Sequence, residues 1–280
     1  MPVVLKAELF QRTGAFKIRG VLNKLAALSA EERERGVISV SAGNHAQAVA
    51  LGAALEGLDA LLVTWRGASE QKIAATRAYG AEVDQTAAGP SEAFDRLHEL
   101  IEESGRTLIH PFDDPLIIAG QGTVALELAE DAPGVDIVLA PVGGGGLVAG
   151  TATALPDVRV IAVEPELAPA MHDALAAGES VAVQPHSIAD GCNAPFAGPM
   201  CVEIAQARGM ESVLVTEAEI EAGMRFLYER AKLACEGAGA VAVAALLAGK
   251  VPLEGAKHVG IIVSGGNIDA QVAAAILFRR

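Results

Sequence analysis

Ile137-Val-Leu-Ala-Pro-Val142-Gly143-Gly144-Gly145-Gly146-Leu147 is the stretch on which the fold turns. A short aliphatic run leads straight into four glycines and then into small apolar residues at helical spacing, which reads as strand, tight turn, helix. Such a turn offers several backbone N–H groups and a helix N-terminus to one phosphate, because glycine permits close approach and dihedrals closed to other residues. A plain flexible turn is the bland alternative. A dinucleotide site is the sharper one, with Glu164 ending the next strand roughly 20 residues on, where a ribose-binding acid would stand. Val148 occupies the place of that motif's third glycine.

Outward from this unit the apolar period keeps switching. Strands are expected at Val37–Val40, Ala60–Val63, Val158–Val163 and Val259–Val263 besides Ile137–Val142. Helices are expected from Lys17, where Ile18, Val21, Leu22 and Leu25 keep helical spacing, and over about 46–55, 70–79 and 122–129, with another from Leu147. This is βαβ rhythm, hence an α/β chain with mostly parallel sheets. At 280 residues the chain exceeds what one core usually holds, so two domains with one sheet each are expected. The net charge of −14 argues against nucleic acid and anionic membrane surfaces as partners. Three cysteines without Cys-x-x-Cys spacing suggest neither disulfides nor zinc, and a reducing cytoplasm fits. The first residues lack an apolar signal core, and no apolar run reaches the roughly 20 residues of a spanning helix.

Three further motifs carry chemistry. Thr13-Gly14-Ala15-Phe16-Lys17-Ile18-Arg19-Gly20 puts a lysine beside an aromatic ring at a helix start, although a lone lysine there is usually solvated. Ser39-Val40-Ser41-Ala42-Gly43-Asn44-His45-Ala46-Gln47 runs from strand to helix through small polar residues, which can cap the helix or hold a carboxylate. Ser264-Gly265-Gly266-Asn267 exposes a hydroxyl at a strand end, where α/β proteins bind ligands.

In this order the four elements resemble the fold-type II pyridoxal-phosphate enzymes, of the tryptophan synthase beta-like fold, in the threonine/serine dehydratase and serine racemase branch. His110-Pro-Phe-Asp-Asp114, Ala119-Gly-Gln-Gly-Thr123 and Ile188-Ala-Asp-Gly191 look like signatures of the same branch. The resemblance implies that Lys17 holds pyridoxal 5'-phosphate as an imine and acts as base, with Phe16 packed on the cofactor ring and Asn44 on its hydroxyl. It implies that Gly143, Gly144, Gly145, Gly146 and the Leu147 N–H cradle the phosphate and that Ser264 faces the pyridine nitrogen. Ser41, Ala42, Asn44 and His45 would receive the substrate carboxylate. Racemases of this kind usually carry serine where Ala42 stands, so dehydration of a β-hydroxy amino acid, L-threonine first and L-serine second, is favoured over racemisation. Glu164 and the Ala168 carbonyl match the family's divalent-cation pattern. Ala170 replaces the carboxylate expected with them, and Glu164 is read as a solvated strand-end acid rather than a ligand.

Departures from the family include Ala15 for serine, Thr64-Trp65 for Met-Pro, and a Lys17 unusually near the start, as though an opening segment were missing. After Asp269 the chain is too short for a regulatory domain, which implies an unregulated or catabolic enzyme. A small substrate-closing domain is expected at 36–117, inserted in a large cofactor domain of 1–35 and 118–280, with the cofactor in the cleft and a homo-oligomer as the assembly. Outside this class stand a nicotinamide-binding oxidoreductase and a non-catalytic amino-acid-binding protein.

Overall fold

The computed structural model describes residues 1–279. In chain order its elements begin β1 (Val3–Ala7), α1 (Lys17–Ala26), α2 (Ala30–Arg35), β2 (Val37–Val40), α3 (Asn44–Glu56), β3 (Ala60–Trp65), α4 (Glu70–Ala78), β4 (Glu82–Ala87), α5 (Pro90–Ser104), β5 (Thr107–Leu108) and α6 (Pro115–Asp131). They continue with β6 (Ile137–Pro141), α7 (Gly146–Ala154), β7 (Arg159–Pro165), α8 (Ala170–Ala177), α9 (Pro199–Ala207), β8 (Glu211–Val215), α10 (Glu217–Phe226), α11 (Gly237–Leu247), β9 (Val259–Val263) and α12 (Ala270–Phe278).

Contacts gather the chain into two compact units, Met1–Phe16 with Gln121–Arg280, and Lys17–Gly120. The first holds a parallel five-stranded sheet in the order β1-β9-β6-β7-β8. Every residue of β6 and β9 is buried, which is why both read as unbroken aliphatic runs without alternation. Helix α11 is small and apolar on all sides and is buried from Gly237 to Ala245, so it serves as a core element against the sheet.

The second unit holds a parallel four-stranded sheet, β4-β3-β2-β5. Helix α3 lies buried from His45 to Ala53, and alanine and glycine there let α1 come close. A Cβ on Gly52 would meet Leu25 Cδ1 and Val21 Cγ1, each at 2.9 Å. This packing is why contacts assign residues 17–35 to the second unit, whereas the sequence reading began its small domain at Gly36. Helix α2 bears the charged run Glu31–Arg35 and is closed by a capping box of Ser29 and Glu32.

Helix α6 begins earlier than its apolar pattern suggests. The Asp114 carboxylate accepts from the N–H groups of Leu116 (2.8 Å) and Ile117 (3.1 Å), and Pro115 opens the helix where no N–H is needed. Among the described residues no helix is long and apolar enough to cross a membrane. Where α6 crosses α1 there is no room for a side chain, since a Cβ on Gly120 would lie 2.6 Å from Gly20 Cα and 2.8 Å from the Arg19 carbonyl. Gly120→Ala is therefore expected to destabilise the fold by about 2–3 kcal/mol, read as a lower denaturant midpoint at unchanged slope.

Candidate active site

In the first unit, β6 delivers the chain into the glycine loop and α7 carries it away. Gly145 has φ +95°, and a Cβ on it would meet Cys201 Cβ at 2.8 Å and Met171 Cε at 2.9 Å, so both backbone and space demand glycine. On Gly143 a Cβ would meet the Gly191 carbonyl at 2.8 Å. Gly145 is the N-cap of α7 and gives it no side-chain cap. Among the described residues nothing accepts from the N–H groups of Gly144, Gly145, Gly146 or Leu147, although the last three are buried. Buried donors without acceptors are costly, and a phosphate seated among them removes the cost. The loop thus fits the cofactor's phosphate.

At the end of β9, Ser264 is buried and its carbonyl accepts from the Phe16 N–H at 3.1 Å. Ala15 bridges Gly265, the Gly266 N–H donates to the Gly14 carbonyl at 2.9 Å, and the Asn267 amide donates to the Thr13 carbonyl at 2.6 Å. The segment before Lys17 is thereby clamped along the Ser264–Asn267 turn. Sequence reasoning did not single out Glu236, which is buried and donates its N–H to the Gly265 carbonyl at 3.2 Å. The available signal was an acid directly before the small-residue start of a helix, Gly237-Ala-Gly-Ala240. Burial, with the Glu236 charge beside it, pushes the Cys235 thiol up to about 12, so this cysteine stays protonated. All three cysteines are buried, and among the described residues none is in a disulfide.

Glu164 is corrected by the structure. It is fully buried rather than solvated, and its carboxylate accepts from Met171 N–H (2.7 Å), His172 N–H (2.8 Å) and Ser212 Oγ (3.2 Å), closing the N-terminus of α8. Burial outweighs these donors and raises its pKa to about 7. A carboxylate so engaged is not available to a ribose, which removes the basis of the dinucleotide reading. It suits a divalent cation poorly as well, since Ala170 offers no side-chain oxygen, and among the described residues no three His, Cys, Asp or Glu side chains cluster to hold a metal.

In the second unit, Lys17 opens α1 and its Nζ donates to the Pro111 carbonyl at 2.7 Å. Two histidines flank it electrostatically. His45 is buried with Nε2 at 3.0 Å from the Ile109 carbonyl, so that nitrogen carries the proton. Burial, aided by the Lys17 charge, pushes its pKa down to about 3. His110 Nδ1 accepts from the N–H groups of Asp113 (2.7 Å) and Phe112 (3.3 Å), and burial foremost lowers its pKa too. Both rings stay neutral beside the lysine. The loop Ser41–Gly43 leads into α3, with Gly43 as an N-cap that supplies no side-chain bond. Ser41 Oγ accepts from the Gly43 N–H at 3.1 Å, while the N–H groups of His45 and Ala46 find no acceptor among the described residues. His45 therefore offers its backbone at this helix start, with its ring tucked behind. Ala42 and Asn44 stand in the same turn, half-buried. The expected residues thus gather into four clusters: the glycine loop, Phe16 with Ser264, Lys17 with His45, and Ser41 to Asn44.

The family model described as pyridoxal-phosphate dependent enzyme matches residues 1–265. The L-threonine ammonia-lyase of Thermotoga maritima is 45% identical over 280 residues, covering 98% of this chain and 69% of that protein. The catabolic L-threonine dehydratase TdcB of Escherichia coli K12 is 44% identical over 274 residues, 95% of this chain and 83% of that protein. Among solved structures, maize serine racemase superposes with a TM-score of 0.93 at 36% identity, over 99% of this chain and 86% of that one. The processed form of threonine deaminase isoform 2 from Solanum lycopersicum gives a TM-score of 0.91 at 35% identity, over 98% of this chain and 82% of that one. The chain belongs to the pyridoxal-phosphate dependent enzymes of fold type II, in the family of threonine dehydratases and serine racemases.

Proposed function

We propose that this chain is a pyridoxal-phosphate-dependent ammonia-lyase that converts L-threonine to 2-oxobutanoate and ammonia, and L-serine to pyruvate. The observation that carries the reading is identity of 44–45%, over at least 95% of the chain, to proteins named L-threonine ammonia-lyase and L-threonine dehydratase. Ala42 favours it over racemisation, because a methyl group cannot return a proton to the second face of the α-carbon.

When bound, the cofactor supplies delocalisation of the electron pair left at the α-carbon. The chain supplies the rest. The N–H groups of Gly144 to Leu147 would hold the phosphate, Ser264 would face the ring nitrogen, Phe16 would pack on the ring and Asn44 would meet its hydroxyl. As a neutral partner, Ser264 would leave the ring nitrogen less positive than a carboxylate would, a setting suited to β-elimination. Lys17 Nζ would hold the cofactor, and it is the amine placed to take and hold the α-proton. His45 and His110, being neutral, add no cation to compete with it. The turn from Ser41 to His45 presents backbone N–H groups to the substrate carboxylate. A homo-oligomer in the cytoplasm completes the reading, and three buried cysteines that form no disulfide among the described residues are consistent with a reducing compartment.

Purified with the cofactor, the wild type is expected to absorb in the visible and release 2-oxobutanoate from L-threonine, whereas Lys17→Ala loses covalent attachment and at least about 10³-fold in kcat, both checked by borohydride trapping with peptide mass analysis and by a coupled assay. A wild type that attaches nothing at Lys17 sinks the reading. Chiral chromatography of residual L-serine after extended turnover should reveal no D-serine; accumulation of D-serine at rates near that of pyruvate would turn the assignment to a racemase. A third expectation concerns pH. Because the His45 pKa is depressed on folding, its stability contribution is present above pH 6.5 and lost as pH falls toward 3. His45→Gln, which can still donate to the Ile109 carbonyl, should flatten that part of the stability–pH curve in thermal melts.

A further inference from the structure

We propose that His110 is a positioning residue for Lys17: its ring fixes the Pro111 carbonyl, and that oxygen steadies the lysine as it takes and keeps the α-proton. The inference rests on the ammonia-lyase reading above, and it gives a task to the motif His110-Pro-Phe-Asp-Asp114, which that reading leaves without one. Lys17, His110 and Pro111 all belong to the compact unit Lys17–Gly120. Lys17 Nζ donates to the Pro111 carbonyl at 2.7 Å, within the range of a charge-assisted bond. Such a bond is stronger to an ammonium than to an amine, so an acceptor at this distance favours the lysine once it has gained a proton. It also gives the end of a flexible four-carbon side chain one direction.

The value of that oxygen depends on how firmly its peptide is held. Before the turn, the Ile109 N–H donates to the Ile38 carbonyl at 2.9 Å, and the Ile109 carbonyl accepts from Ser39 Oγ at 2.7 Å and from His45 Nε2 at 3.0 Å. After it, Asp114 caps α6 and pairs with Lys24 at 2.7 Å. Between these anchors His110 closes the turn on itself: Nδ1 accepts from the Asp113 N–H at 2.7 Å and the Phe112 N–H at 3.3 Å. The His110 and Phe112 rings meet edge-on, their centroids 4.7 Å apart. The Phe112 N–H and the Pro111 carbonyl are two sides of one planar peptide. His110 therefore grips by its N–H the same rigid group that meets Lys17 by its oxygen, and the peptide cannot rotate away from the lysine without giving up the histidine. The grip requires a neutral ring, because a proton on Nδ1 would set a donor against two donors. Burial foremost keeps the ring neutral by lowering its pKa; the Asp113 charge pulls the other way, the Lys17 charge adds to the lowering and the Asp114 charge opposes it.

The test compares wild type, His110→Asn, His110→Ala and His110→Leu, each with the cofactor bound. The Asn carbonyl oxygen falls near the place of Nδ1 and can accept from the same N–H groups, whereas Ala and Leu side chains accept nothing. In turnover of L-threonine, His110→Ala and His110→Leu are expected to lower kcat by about 10- to 100-fold while KM changes by less than about threefold, and His110→Asn should restore most of kcat. The second readout uses L-2-aminobutanoate, which has no β-hydroxyl to expel. In heavy water, Lys17 takes its α-hydrogen and returns a deuterium from the resulting ammonium to the same carbon, so one C–H bond is replaced by one C–D bond. This exchange, followed by NMR, should slow in the Ala and Leu variants by a factor like that on kcat and persist in His110→Asn. Visible absorbance and melting temperature guard against lost cofactor or a folding defect, and either non-accepting variant suffices if the other is unstable. Unchanged exchange in the Ala and Leu variants, a loss confined to KM, or a His110→Asn variant as impaired as His110→Leu overturns the role of His110. Failure of the ammonia-lyase reading would look different: no 2-oxobutanoate from the wild type, while α-hydrogen exchange proceeds and depends on His110 as described.

Discussion

Of the four described helices whose N-cap is a glycine without a side-chain bond, α5 and α9 open on proline, which has no N–H to satisfy, and the other two, α3 and α7, set the terms for this molecule. Several others are capped from within the chain, by Ser29 on α2, Ser69 on α4, Thr216 on α10 and Asp269 on α12. The Glu164 carboxylate does the same for α8 from a neighbouring strand. At α7 and α3, by contrast, no described residue accepts from the N–H groups of Gly146 and Leu147, or of His45 and Ala46. Leaving such donors unsatisfied lowers stability. The loss is tolerable if an anion arrives, and each helix belongs to one of the two units in which the family's cofactor-binding and substrate-binding motifs lie.

What could be read beforehand divides along a physical line. The five strands legible in the sequence, β2, β3, β6, β7 and β9, are the interior strands of the two sheets. The four that went unread, β1, β4, β5 and β8, are the four edges. An interior strand of a parallel sheet is covered on both faces and shows itself as an aliphatic run. An edge is half solvated, so Glu82-Val-Asp-Gln-Thr-Ala87 looks like a loop, and two-residue β5 carries no period at all. Helix α6 outran its apolar pattern because Asp114 and Pro115 start it, and those are local signals that the periodicity does not register.

Site residues split in a similar way. Lys17, Asn44, the glycine loop and Ser264 sit in short contiguous motifs whose order along the chain is itself informative. Glu236 matters through the Gly265 carbonyl, a neighbour that only folding brings to it, and no apolar period announces it. Glu164 shows the opposite hazard. Its position at a strand end suggested a solvated acid, while its chemistry depends on Met171, His172 and Ser212 folding over it. Burial is a tertiary property, and for an ionisable group it decides the charge state as much as residue type does.

The clamp that holds Thr13 to Asn267 joins positions 254 residues apart. Its companion, the pairing of β1 with β9, spans a similar interval. During synthesis β1 therefore emerges long before its partner and waits, its pairing edge open, until β9 has left the ribosome. The five-stranded sheet cannot be completed from that side by any shorter product, and the turn that carries Ser264 is braced only when its two halves meet. Such a topology delays the assembly of this part of the site until β9 has been made, and it leaves the nascent strand open to chaperones or to mispairing in the interval.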